Sequence, residues 1–120
     1  MKGKLNLKGR NCIKGTLVGV IGKKVEGRVA SVGNIGDFCK KECEGMLMVI
    51  RDEWNGRVVK NYHPTEVMVG GVILDKDIKN VRKWEDYLKQ HGIMGIYGVD
   101  TDSILDDNKE TELTGSIELV

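Results

Sequence analysis

Residues 84–105, WEDYLKQHGIMGIYGVDTDSIL, decide the fold because their hydrophobic period changes twice. Trp84 and Leu88 are spaced for one face of a helix, and Gly92 is the residue type that most easily ends a helix in the left-handed conformation. The next stretch, residues 93–99, is short, apolar and interrupted by glycine, as expected of a strand in a sheet. The segment therefore predicts a helix that packs on a sheet and leads into a strand.

A second, shorter helix is predicted directly after this strand. Asp100 precedes residues 101–105, and a short carboxylate there can accept hydrogen bonds from the first free N–H groups of a helix. Asp102 and Asp106 would share one face of the helix, but their spacing differs from that of a calcium-binding loop. Capping and solvation are therefore the preferred interpretation of this acidic cluster.

The remainder of the chain is predicted mainly as strands separated by glycine. Asn55-Gly56 is a strong two-residue hairpin signal, so residues 57–60 are predicted as a returning strand. Strands first, with helix and strand alternating later, predict an α/β fold with a mixed sheet and helices packed on one side of it. The other predicted strands are Leu5 to Lys8, Ile13 to Val18, Arg28 to Val32, Met46 to Ile50, Val67 to Leu74 and Ser116 to Val120.

Length and composition fit one domain over residues 1–120, and no apolar run approaches the roughly 20 residues that cross a bilayer. Residues 1–60 hold 13 Lys and Arg against 6 Asp and Glu, whereas residues 61–120 hold 6 against 12. Lysines scattered through strand patterns with few aromatic residues are typical of solvated strand faces. We therefore predict a cytoplasmic protein that presents a charged face to a protein partner and binds neither nucleic acid nor membrane.

Several short motifs in the second half follow the pattern of a known family. They are Gly71-Val72-Ile73-Leu74-Asp75, Asp86-Tyr87-Leu88, the pair Ile93 and Ile96, and Asp100-Thr101 with Leu105. Together they resemble the N-terminal domain of the carbamoyl-phosphate synthase small chain, whose pattern runs G-L-V-I-R-D, S-Y-L, I-x-x-I and I-D-T-R-x-L. Asp102 stands where that family usually has Arg. A looser likeness continues through the first half of the chain.

The resemblance implies a swivelling β/β/α domain that docks onto a large synthetase chain. In the family, glutamine is hydrolysed by a Cys nucleophile in a second, amidotransferase domain, before which this sequence would stop. We therefore expect no catalytic residue and no cofactor, and a partner-binding surface that includes Tyr87, Asp100, Thr101 and Asp102. The expected partner is a carbamoyl-phosphate synthase large chain or a separate amidotransferase chain, and a homo-oligomer remains open.

The turn at residues 33–38 corresponds to a loop that helps to complete the glutamine pocket in that family. The family loop reads N-T-S-M-T-G-Y-Q. Here Gly36 and Phe38 match its Gly and Tyr, whereas residues near Gly33 replace its Ser-Met-Thr core, so the resemblance implies that this role is lost. Because no Lys followed by Ser or Thr is present, a plain turn is preferred to a phosphate-binding loop.

The cysteines allow one further hypothesis. Cys39 and Cys43 form a C-x3-C pattern that could supply two thiolates to zinc, with Cys12, His63 or His91 as further ligands. No second matching pair is present, so reduced thiols are preferred and no metal site is predicted.

Three functions therefore remain open. A non-catalytic binding or assembly domain is preferred. The alternatives are one component of a split small subunit that supports glutamine-dependent carbamoyl phosphate synthesis, and a repurposed domain that binds a small molecule.

Overall fold

The computed structural model describes residues 1–33, 35–61, 66–105 and 113–120, and within them the strands form a closed seven-stranded barrel with helices, a mixed α/β fold. The strands are β1 (Lys2–Leu7), β2 (Ile13–Gly19), β3 (Lys24–Ser31), β4 (Leu47–Ile50), β5 (Gly71–Asp75), β6 (Met94–Val99) and β7 (Thr114–Leu119). The helices are α1 (Glu53–Asn61), α2 (Val81–His91) and α3 (Thr101–Leu105), and two 3-10 helices, Ile35–Cys39 and Lys41–Cys43, precede β4.

Four neighbouring strands of the barrel run parallel. Their order is β6-β5-β4-β3, and β1, β2 and β7 complete the barrel through antiparallel pairs. Parallel neighbours need crossover connections, and α1 and α2 supply those from β4 to β5 and from β5 to β6. The carboxyl ends of β3, β4, β5 and β6 consequently meet at one edge of the sheet, which we call the carboxyl edge.

The sheet separates two hydrophobic cores. Along β4, Leu47 and Val49 point into the barrel, whereas Met48 and Ile50 point toward the helices, as the two-residue period of a strand requires. Ile104 of α3 belongs to the barrel core, so this short helix covers the barrel interior at the carboxyl edge. The helix-side core is formed by Val18, Phe38, Met48, Ile50, Val59, Val69, Val72, Leu74, Ile78, Trp84, Tyr87, Leu88 and Ile93.

The predicted helix and strand of residues 84–99 are confirmed. Trp84 and Leu88 lie on the buried face of α2, and the helix ends at Gly92, which has φ 70°. The Ile93 N–H donates to the Leu88 carbonyl at 2.9 Å and fixes the direction in which the chain enters β6. None of the helices in the described ranges is long and apolar enough to cross a membrane.

The predicted hairpin at Asn55-Gly56 and the returning strand at residues 57–60 are wrong, because this segment is helix α1. The Asp52 carboxylate accepts the Asn55 N–H at 2.8 Å, and the Asp52 carbonyl accepts the Gly56 N–H at 3.1 Å. A capping aspartate thus outweighs the turn preference of Asn-Gly. A hairpin would also make the strand after β4 antiparallel to it, whereas β4 and β5 are parallel.

Several strand boundaries and the closure of the sheet also differ from the prediction. β5 begins at Gly71 and not at Val67, because residues before Gly71 bond irregularly; the Met68 N–H, for example, donates to the Phe38 carbonyl at 2.7 Å. β3 begins four residues before the predicted start, at Lys24. The sheet is closed because β7 pairs with both β1 and β3, a long-range pairing that local periodicity does not encode.

Candidate functional site

The carboxyl edge gathers polar side chains from three strand ends. Arg51 follows β4, Asp75 ends β5, and Asp100 follows β6. The loops that follow the carboxyl ends of parallel strands commonly carry function, because the strands hold them in place. The predicted partner-binding residues Asp100, Thr101 and Asp102 all lie here, on or next to α3.

Asp75 is the buried centre of this edge. Its Oδ1 accepts hydrogen bonds from Thr101 Oγ1 at 2.6 Å and from the Thr101 N–H at 3.1 Å, and its Oδ2 accepts the Asp77 N–H at 3.0 Å. Burial raises the pKa of Asp75, but these hydrogen bonds and the nearby Lys76 outweigh burial and hold the pKa below its ordinary value. Asp75 is therefore an ionised carboxylate that holds the start of α3.

The sequence pattern suggested Asp100 as the acceptor for the first N–H of α3, but the acceptor is Asp75. Asp100 instead uses its carbonyl, which accepts the Ser103 hydroxyl at 2.7 Å and the Ser103 N–H at 3.2 Å. Its carboxylate lies 4.0 Å from Lys76 Nζ and is half exposed. Asp106, the proposed neighbour of Asp102 on this helix, lies outside the described residues.

Two arginines fix the rest of α3. Arg10, in the connection between β1 and β2, donates from its guanidinium to the carbonyls of Ser103 at 3.0 Å and Ile104 at 3.3 Å. A cation at the carboxyl end of a helix also meets the negative end of the helix dipole. Arg51 contacts Asp102 at 2.7 Å, and this exposed pair is worth at most about 1 kcal/mol. The acidic residue at position 102 therefore has a basic partner within the chain.

Next to this edge lies a large exposed apolar side chain. Trp54 occupies the first turn of α1, three residues after Arg51, and is 69% exposed. Exposed tryptophans are uncommon on free surfaces, whereas tryptophan and arginine are enriched among the residues that dominate protein interfaces. The sequence pattern, which predicted a hairpin at Asn55-Gly56, gave no signal that Trp54 would be exposed on a helix.

Tyr87 lies away from these residues, in the helix-side core. It is 7% exposed, meets Trp84 edge-to-face with 5.6 Å between ring centroids, and lies 4.6 Å from the ring of His91. Burial, with a smaller contribution from Cys39, raises the pKa of Tyr87. The structure thus places Trp84 and Tyr87 in the helix-side core and does not bring Tyr87 together with Asp100, Thr101 and Asp102.

The turn at residues 33–38 is held by contacts of Asp37 and by the burial of Phe38. Asp37 accepts the Gly33 N–H at 2.7 Å and lies 3.2 Å from Lys40 Nζ. Phe38 is 1% exposed and packs in the helix-side core, while the Gly36 carbonyl accepts the Cys39 thiol at 3.3 Å. The Gly33 N–H is therefore occupied by a carboxylate of the same loop, which favours the interpretation as a turn over an anion-binding loop.

The cysteines do not gather with other metal-ligating side chains in the described part of the chain. No group of three or more His, Cys, Asp and Glu side chains that could hold a metal ion occurs there, and His63 lies outside it. Cys12 is exposed on the connection between β1 and β2. Burial and the neighbouring Asp37 raise the pKa of Cys43, which leaves its thiol less reactive than an ordinary surface thiol.

Comparison with known protein families finds no family model that matches this chain, and comparison with curated proteins finds no match either.

Proposed function

We propose that this chain is a non-catalytic binding or assembly domain whose partner protein contacts the carboxyl edge. The observation that carries the proposal is the exposure of Trp54, 69%, at the same edge as Arg51 and the half-exposed Asp100. An exposed apolar side chain at an edge that also carries charged side chains fits the usual anatomy of an interface, an apolar core with a polar rim. Asp102, with 70% of its side chain exposed, would belong to that rim.

The framework beneath this surface supports the proposal. α3 is held at its start by Asp75 and at its end by Arg10, and its Ile104 side chain is 1% exposed in the barrel core. A surface whose backbone is fixed before association loses little conformational entropy on binding. Thr101, which is buried, would support the surface from within and would not touch the partner. Tyr87 is buried in the helix-side core, away from this surface, and would not touch the partner either.

We further propose that the domain is of the swivelling β/β/α type and that its partner is a carbamoyl-phosphate synthase large chain or a separate amidotransferase chain. In support, the motifs of the resemblance fall on successive elements: residues 71–75 form β5, residues 86–88 lie in α2, and residues 100–105 include α3. The predicted partner-binding residues Asp100 and Asp102 are also among the exposed groups of the edge.

The test is complex formation with those two chains from the same genome. We expect the native chain to form a stoichiometric complex with one of them at micromolar concentrations by size-exclusion chromatography with light scattering. Trp54→Ala should weaken the complex at least tenfold, because truncation of an interface tryptophan commonly costs about 2 kcal/mol or more.

Ile21→Ala is the matched control, because Ile21 is 41% exposed on a different connection of the barrel. Equal weakening by both variants would count against the carboxyl edge as the interface. Absence of a complex with either chain would overturn the proposed partner. Measurement of glutamine hydrolysis by the amidotransferase chain, with and without this domain, decides whether the complex is a split small subunit.

A further inference from the structure

The outer side of β2, β1, β7 and β3 forms a second surface, which we call the basic face. The helices in the described residues pack mainly against the other strands and the end of β2, and most side chains on the outer side of these four strands are exposed or half-exposed. Successive residues of a strand alternate between the two faces of a sheet, and Leu5 and Ile117 point into the barrel. The side chains on the basic face are therefore Lys2, Lys4, Asn6, Lys8, Lys14, Thr16, Lys24, Glu26, Arg28, Thr114, Ser116 and Glu118.

We propose that the basic face binds an acidic, extended segment of a partner protein. This surface is distinct from the carboxyl edge, and the proposal does not depend on which protein contacts that edge. Among the described residues the face presents six Lys and Arg side chains against two Glu side chains, although the whole chain has a net charge of only +1. An excess of positive charge that is not visible in the net charge of the whole chain is thus concentrated on one side of the barrel.

The spacing of these cations fits an extended partner. Lys2 and Lys4 lie two residues apart on β1, and Lys8 follows four residues later, just past the end of β1; alternate residues of a strand lie about 6.5–7 Å apart. Carboxylates on alternate residues of an extended acidic segment repeat at the same interval. Lys14 stands directly opposite Lys4 on β2, so a segment lying between β1 and β2 would meet cations from both strands, whereas on the β7 side of β1 Glu118 stands opposite Lys4.

The basic face contains two shallow depressions, each of about 410 Å³. One is lined by Asn6, Lys8, Glu26, Arg28 and Ser116 among others, and the second by Lys2, Lys14 and Thr16. In the first, the Ser116 hydroxyl and the Asn6 amide already donate to Glu118. The second combines two cations with a hydroxyl group and therefore offers the better place for an acidic side chain of a bound segment.

The carboxylates on the face favour a protein over nucleic acid. Glu118 accepts hydrogen bonds from Ser116 at 3.0 Å and from the Asn6 amide, and these contacts with Lys24 and Lys4 nearby lower its pKa. Glu118 therefore stays ionised and would repel a continuous phosphate backbone. The face has no aromatic side chain among its described residues on which a base could stack.

The test uses the full chain with two probes, a fluorescently labelled polyglutamate peptide and a short double-stranded DNA, followed by anisotropy. We expect the native chain to bind the peptide more tightly than the DNA, and added salt to weaken peptide binding. The triple variant Lys4→Gln, Lys8→Gln, Lys14→Gln should weaken peptide binding about tenfold, since each exposed ion pair is worth about 0.2–1 kcal/mol.

The matched control removes the same charge from α2, through Arg82→Gln, Lys83→Gln and Lys89→Gln, and should leave peptide binding within twofold of native. Circular dichroism of both variants establishes that they fold. The proposal is overturned if the native chain does not bind polyglutamate, if both triple variants weaken binding equally, or if DNA binds more tightly with the same dependence on the three lysines. Trp54→Ala should not change peptide binding. Failure of the proposal for the carboxyl edge would therefore leave the proposal for the basic face standing, and the reverse also holds.

Discussion

Thr101 Oγ1 and Asp75 Oδ1 lie 2.6 Å apart in the interior of the protein and join the start of α3 to the end of β5. Thr101 is fully buried and Asp75 is 6% exposed, so water does not replace this hydrogen bond if it is lost. The pair therefore determines where α3 sits over the barrel. Because Asp100 and Asp102 flank Thr101, the same pair positions the charged groups of the proposed interface.

Replacement of Thr101 by valine should destabilise the protein by about 1–3 kcal/mol. Valine keeps the shape of threonine but removes the hydroxyl donor, which leaves a buried, ionised carboxylate with one partner fewer. Urea unfolding followed by circular dichroism measures the change. Ser103→Ala is the control, because its hydroxyl donates to the Asp100 carbonyl at an exposed position just before the helix, and it should cost less than about 0.5 kcal/mol. Equal costs for the two variants would contradict this role of the buried pair.

Acid should remove the contribution of Asp75 to stability. Its pKa is lower in the folded protein than the ordinary value of 3.8, so the ionised form binds α3 better than the protonated form. The contribution is fully present above the unfolded-state pKa and is lost as pH falls from about 4 through the lower, folded-state pKa. Asp75→Asn should therefore be less stable than native at pH 7, and the difference should shrink as pH falls below 4. A difference that stays constant down to pH 2 would disprove the linkage.

The roles of Asp75 and Arg10 illustrate where sequence patterns stop being informative. Periodicity located β4, β5, α2 and β6, because each depends on neighbours within a few residues. Asp75 appeared only as the end of an apolar strand, and its partner Thr101 lies 26 residues further along. Arg10 carried no local signal for contacts with α3, which is 93 residues away. The carboxyl edge exists only after strands distant in sequence have paired, so its membership could not be predicted from local patterns.

α1 illustrates a different kind of failure. Asn55-Gly56 has the composition of a hairpin turn, and a helix of nine residues with a glycine in it has weak intrinsic preference. The helix forms because Asp52 caps it and because Val59 is 1% exposed against the helix-side core. Tertiary packing thus overrides the local preference, and the exposure of Trp54 follows from the helix and not from the turn that the dipeptide suggested.

Tyr87→Phe should leave the protein as stable as native or stabilise it by up to about 1 kcal/mol. The Tyr87 hydroxyl is buried and has no hydrogen-bond partner among the described residues, so its removal relieves a desolvation cost. The ring contacts with Trp84 and His91 are kept in phenylalanine. Thermal unfolding measures the change, and Tyr97→Phe is the control because it removes a hydroxyl that donates to the Lys76 carbonyl at 3.1 Å. Clear destabilisation by Tyr87→Phe would indicate that its hydroxyl does have a partner.

Closure of the barrel should depend on the absence of a side chain at Gly27. A Cβ there would lie 2.2 Å from the Gly45 carbonyl oxygen, and neither strand β3 nor the backbone at residue 45 can move without breaking neighbouring pairs. We expect Gly27→Ala to destabilise the protein by about 3 kcal/mol, at the upper end of the usual cost of overpacking. Gly22→Ala is the matched control, because its Cβ would meet only the Met94 sulfur at an ordinary 3.8 Å, and it should change stability by less than about 1 kcal/mol. Urea unfolding of both variants makes the comparison. Equal stability of the two variants would mean that β3 lies farther from the Gly45 backbone than the structure places it. It would also mean that the short parallel pairing of β3 with β4, residues 29–31 with 47–49, tolerates separation.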